Sequence, residues 1–195
     1  MKSRLLRVRS RKEQHVQRYV SRTFKTNGTV RMLALWQVAT LMLVALGMAM
    51  SVAHALEMPG KMRLDREAYL TVQPIYYPGF TIGAGFGEFG AMVAVAAFVF
   101  VTPAGLPFEL TLATLAALVA AHAIYWVVTH PTNRFWLREQ KLSGAGAAFF
   151  AVGAGEGNAE RDWRSARKRW EYSHVARAVL HASGLALVAG AVAVR

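Results

Sequence analysis

The chain reads as an all-α protein: a four-helix transmembrane bundle with a basic N-terminal arm and one long loop between helices 3 and 4. Three observations predict this. Of the 195 residues, 54% are apolar, and they gather in long runs rather than spreading evenly. Residues 32–56 contain 25 consecutive positions without Asp, Glu, Lys or Arg, and 110–133 and 178–194 are two more such runs. A further run, 79–101, is interrupted only by Glu88. A helix needs ~20 mostly apolar residues to cross the hydrocarbon core. Backbone groups in lipid must be satisfied internally, so helices are the spans expected at this composition.

Residues 1–31 hold ten of the 23 Lys and Arg and a single acid, Glu13, in a chain of net charge +12. This arm suits a cytoplasmic juxtamembrane segment beside anionic lipid rather than a nucleic-acid contact. The remainder, 32–195, is the membrane domain. Span one is expected at 32–56, with Trp36 as an interfacial anchor. Ala53-His54-Ala55 looks like a small-residue cleavage site, but the long basic lead argues for an uncleaved first span. The loop 57–78 contains Pro59, Lys61, Tyr69, Gln73 and Tyr76 and reads as a helical turn packed over the bundle mouth.

Span two, 79–101, carries Gly79, Gly83, Gly87 and Ala91 at intervals of four. That stripe allows close approach of another helix, within the chain or in another membrane subunit. Gly85-Phe-Gly87-Glu-Phe-Gly90 matches a dinucleotide-binding pattern, but no strand precedes it and it lies within an apolar run. The link 102–107 is short, so spans two and three are antiparallel neighbours. Span three, 108–130, is expected to end at His130-Pro131, because the residue before proline disfavours helix. Residues 134–142 read as a surface helix, and 143–157 as a flexible Gly/Ala-rich stretch. Asn158 or Asp162 is a candidate cap for the last helix, which crosses at 173–194.

Topology carries a conflict. The basic arm places the N-terminus in the cytoplasm, as in a bacterial inner membrane, with loops 57–78 and 131–172 on the opposite side. The second loop nevertheless holds eight Lys and Arg, and its five acids count little in the positive-inside rule. Either orientation puts both large loops on one side. There is no cysteine, which excludes disulfide and thiolate chemistry.

The ionisable residues collect at that side. His54-Ala-Leu-Glu57 ends span one and Glu171-Tyr-Ser-His174 begins span four, each placing carboxylate and imidazole on one helix face. Facing helices with Glu and His at this spacing are a way to hold metal inside a bundle. His54, Glu57, Glu171 and His174 are therefore candidate metal ligands, with Glu88, His122, His130 and His181 as a second layer. Such donors suit iron, copper, zinc or manganese. The dimetal pattern is incomplete, because span three supplies no suitably placed acid. Without metal, the same residues can act as acid and base. Trp163, Arg167, Trp170, His174, Arg177 and His181 form one stripe of the last helix, able to meet an aromatic or anionic ligand.

The segment His54-Ala-Leu-Glu57-Met-Pro59-Gly-Lys61, followed by Tyr69 and Gln73-Pro-Ile-Tyr76, is similar to the first-loop motif of the anthrone oxygenase-like family of small four-span membrane proteins. His130-Pro131-Thr-Asn133 and the run from Trp163 to His174 resemble the same family. The resemblance covers about residues 32–194. It implies an oxidoreductase that oxidises a small lipophilic, phenolic or polyketide substrate with dioxygen, without a dedicated cofactor. It points to His54, Glu57, Glu171 and His174 as catalytic and to Asn133, Arg167 and Trp170 as substrate-binding. In that scheme His54 or His174 removes a proton, Trp170 stacks on the ring and Arg167 stabilises the anion. Two other expectations stand beside it: a non-catalytic accessory subunit of a larger membrane complex, and a metal-binding membrane protein with a transport or sensing role.

Overall fold

The computed structural model describes the backbone of residues 2–137 and 163–195 and the side chains of 28–133, 136 and 163–195. All regular structure among the described residues is helical. Helix α1 is Lys2–Lys61, α2 Arg66–Val72, α3 Gly79–Ala84, α4 Gly90–Val101, α5 Leu106–Ile124, α6 His130–Leu137 and α7 Trp163–Ala193. A π turn, Gly85–Phe89, joins α3 to α4, and a second, Tyr125–Thr129, joins α5 to α6. Four stretches are long and apolar enough to cross a membrane: Gly28–Lys61, Gly79–Val101, Leu106–Asn133 and Trp163–Ala193. The expected caps Asn158 and Asp162, the surface helix beyond Leu137 and the Gly/Ala-rich stretch lie outside the described residues.

The chain divides into two units, Met1–Ala39 and Thr40–Arg195. In the first, the described apolar side chains Val30, Met32, Leu35 and Val38 are exposed, as lipid-facing residues of a span are. The second holds the bundle, and a named contact joins each neighbouring pair of spans. Gly87 lies so close to α1 that an added Cβ would stand 2.9 Å from the backbone nitrogen of Gly47. His122 on α5 faces Glu88 of span two at 3.5 Å. Thr114 on α5 reaches the carbonyl of Gly184 on α7 at 3.4 Å. Ser51 on α1 hydrogen-bonds His181 on α7 at 2.7 Å. The four contacts close the ring.

The middle of the glycine stripe is thus filled from within the chain. Gly83 meets Met50 and Gly87 meets Gly47 and Leu46, with Gly90 beside the stripe meeting Leu43, so α1 covers this part of the face while Gly79 stays open. Gly87→Ala should cost about 1–3 kcal/mol, because the new methyl meets backbone that cannot rotate away. Gly79→Ala, with open space around it, should be neutral. Equal melting temperatures for the two variants in detergent would contradict this packing.

Two expected helix ends moved. Span one does not stop near residue 56: α1 runs through Pro59 to Lys61, where Lys61 pairs with Glu57 one turn back at 3.4 Å. Span three does not stop at Pro131. A proline inside a helix removes an N–H and crowds the preceding turn. The π turn just before it loosens that turn, with the His130 N–H reaching back to the Tyr125 carbonyl. The Thr132 hydroxyl takes up the Val128 carbonyl at 2.8 Å. At the other end, Gly105 begins the approach to α5 with φ +101°, a conformation that suits glycine.

Candidate functional site

The loop after α1 is ordered by local chemistry. The Asp65 side chain accepts from the Ala68 N–H at 2.9 Å and caps α2. That helix and the turn Gln73–Tyr76 turn Tyr69 and Tyr76 inward, where both are buried with Trp136 and Trp170. Here a polar layer forms around Lys61. Its ammonium lies 3.4 Å from Glu57 and 3.3 Å from Glu171. It also sits 4.5 Å from the centre of the Trp170 ring, a cation–π distance. Tyr69 donates to Glu171 at 2.9 Å and Tyr76 to Glu57 at 2.6 Å. Burial, reinforced by these carboxylates, pushes both phenols above their usual range, so they remain donors.

Beneath this layer lies a cavity of about 150 Å³. Its wall includes His54, Tyr76, Phe80, Trp170 and His174, with Glu88 and Arg177 deeper in. The imidazoles of His54 and His174 come within 4.1 Å, centre to centre, from helices 120 positions apart in sequence. His54 is 6% and His174 5% exposed. Nδ1 of His54 and Nε2 of His174 have no hydrogen-bond partner. Phe89 and Trp126, both exposed on the outer surface, complete the wall between span two and α5. Both π turns border the cavity, and π turns recur at functional sites.

The structure sorts the expected residues. His54, Asn133, Trp170 and His174 line the cavity, and Asn133 accepts from the Trp170 indole at 2.5 Å. Glu57 and Glu171 do not line it; both pair with Lys61 and a tyrosine, and Glu57 also stands 3.9 Å from His54 Nδ1. The four-residue metal set therefore does not assemble. The histidines meet, the carboxylates turn to the lysine, and among the described residues no group of three or more His, Asp and Glu is arranged to hold an ion. Arg167 also departs from expectation. It donates to the carbonyls of Leu64 at 2.7 Å and Lys61 at 3.4 Å, tying down the end of α1 rather than facing the cavity.

No family model, curated protein or solved structure matches the chain.

In the second layer, Glu88 lies between His122 and Arg177. Arg177 also stacks 5.1 Å from the Tyr125 ring. His181 instead bonds Ser51, and His130 packs against Tyr125 and Trp126, with ring centres 5.7 and 4.9 Å apart. The sequence reading missed Lys61 as the hub and Arg177 as the partner of Glu88. Lys61 had a signal, its position four residues after Glu57 on a continuing helix.

Proposed function

We propose that the protein is a membrane-embedded oxidoreductase of the oxygenase type, acting on a small lipophilic aromatic molecule bound in this cavity. One observation carries the reading: two buried imidazoles, each with a ring nitrogen that makes no hydrogen bond, meet in an aromatic-walled cavity at the level of the spans. Ligand sites are concave and mostly apolar, with few convergent polar groups. A closed cavity of about 150 Å³ holds a single aromatic ring, and this one is partly open, which leaves room for a fused-ring compound. The resemblance to anthrone oxygenase-like proteins supplies the chemistry. An imidazole removes a proton from an electron-rich phenol or its keto form, and the anion gives electrons to dioxygen. A ring methylene becomes a carbonyl, with one dioxygen consumed and one water released. Trp170 presents its ring to the substrate, and Arg177, in place of Arg167, supplies positive charge at the cavity. The basic arm favours a bacterial inner membrane with the N-terminus cytoplasmic.

The test is dioxygen uptake and product mass by the purified protein in lipid nanodiscs, offered anthrone and simple phenols. Wild type should turn over at least one of them. His54→Ala should lower turnover by about 100-fold or more, the scale of a positioned acid or base, while keeping its helical content and melting temperature. Absence of uptake across the panel, or equal rates in the variant, would overturn the reading.

A further inference from the structure

Three side chains in the cavity wall can only donate hydrogen bonds: the indoles of Trp126 and Trp170 and the guanidinium of Arg177. Trp126 and Arg177 set the direction of every bond between them. Trp126 Nε1 donates to His122 Nε2 at 2.9 Å, so that nitrogen is the acceptor. The His122 proton is then on Nδ1, which faces Glu88 Oε2 at 3.5 Å. Glu88 Oε1 takes its bond from Arg177. Arg177 turns its Nη1 to His174 Nδ1 at 3.4 Å.

That last contact fixes the state of His174. Its Nδ1 faces a permanent donor and must offer a lone pair. An imidazolium would set N–H against N–H and positive charge against positive charge. The ring is therefore neutral with its proton on Nε2. That N–H is the free end of the chain: it has no partner, and the side chain is buried and lines the cavity. A buried donor left unpaired costs free energy that an incoming acceptor recovers.

We propose that the cavity binds an aromatic carbonyl compound whose oxygen accepts a hydrogen bond from His174 Nε2–H, with Arg177 as the positioning residue that holds this tautomer. His174 is thus the donor to the ligand oxygen, and proton removal falls to His54, whose Nδ1 is held by no donor and stands 3.9 Å from the Glu57 carboxylate. This rests on the cavity being the ligand site; it does not depend on oxygen chemistry. The exposed Phe89 and Trp126 at the outer wall suit entry from the bilayer, where such a compound concentrates.

The experiment uses the full chain in nanodiscs with ¹⁵N-labelled histidine and a matched pair of probes, 1-indanone and indane, which differ only in the carbonyl oxygen. Nitrogen spectra should show His174 protonated at Nε2 and bare at Nδ1, the assignment coming from signals lost in His174→Gln. Wild type should bind both probes, and His174→Phe should weaken indanone by about three- to tenfold relative to indane. Comparing each probe between proteins cancels its partition into lipid. His174→Gln should restore the preference, since its oxygen can accept from Arg177 while its N–H₂ donates to the cavity. A proton on Nδ1, or a ratio that His174→Phe leaves unchanged, overturns the proposal while the cavity reading stands. If neither probe binds wild type, the cavity is not a ligand site and both readings fall. If His174→Phe does not fold, the tautomer and the Gln ratio decide.

Discussion

Arg177→Met should lower the stability of the bundle by about 3–5 kcal/mol, the usual cost of stranding one member of a buried ion pair. The substitution leaves Glu88 within the membrane-spanning part of the bundle with only His122 at 3.5 Å to answer its charge. It also removes the group that stacks on Tyr125 and contacts His174. The cost is a penalty of incompleteness, so it should be largely reversible. Replacing both partners, Glu88→Met with Arg177→Met, exchanges a desolvated pair for apolar volume, which is often neutral. Unfolding in mixed detergent micelles, read by helical circular dichroism, gives the three stabilities. A double variant as unstable as the single one would show that the pair shapes the bundle beyond its electrostatics. A single variant as stable as wild type would contradict the buried pair outright.

Lys61→Met should cost about 3 kcal/mol, and Glu57→Gln less than about 1 kcal/mol, although Glu57 is one of the two carboxylates, with Glu171, that touch the Lys61 ammonium. The difference follows from burial. The Glu171 side chain is fully enclosed, and without Lys61 it retains only the Tyr69 hydroxyl. The Glu57 side chain is 41% exposed, so water already screens it and can replace what it loses. Glu171→Gln should resemble Lys61→Met, because the lysine would then stay buried beside one half-exposed partner. Melting temperatures of the three variants in one detergent check the order. If Glu57→Gln proved as costly as Lys61→Met, the ammonium would be held by the outer carboxylate rather than the inner one.

The four spans were legible because lipid imposes a simple condition, a long apolar stretch with few charges, and the segments 32–56, 79–101 with its single Glu88, 108–130 and 173–194 meet it. Their ends were less so. Pro59 and Pro131 are read locally as helix breakers, yet here one is carried through by a helix anchored at Lys61 and the other by a π turn. The histidines at 54 and 174 were found because each sits beside a glutamate at helical spacing. Their carboxylates were misdirected for a reason such spacing does not contain. Whether Glu171 faces an ion or a lysine depends on Lys61, 110 positions away, and on Tyr69 from the loop between. Arg177 was placed on the correct stripe of its helix, but its pairing with Glu88 requires knowing that α7 and span two share the cavity. Arg167 looked like an anion holder by the same stripe logic, and the unexpected extension of α1 to Lys61 gave it carbonyls to bind instead.

The two π turns give the spans two places where counting works differently. In ordinary helix the loss of a residue shortens a span by only about 1.5 Å but rotates everything beyond it by about 100°. Within Gly85–Phe89 or Tyr125–Thr129 the same loss would remove the extra residue of the π turn and close it to regular helix, leaving the segments on either side nearly in register. Glu88 and Phe89, or Tyr125 and Trp126, would then face different neighbours while the rest of the bundle stayed almost where it is. For this chain, hydropathy is forgiving and register is not: the site is written in the number of residues between membrane surfaces as much as in their kind.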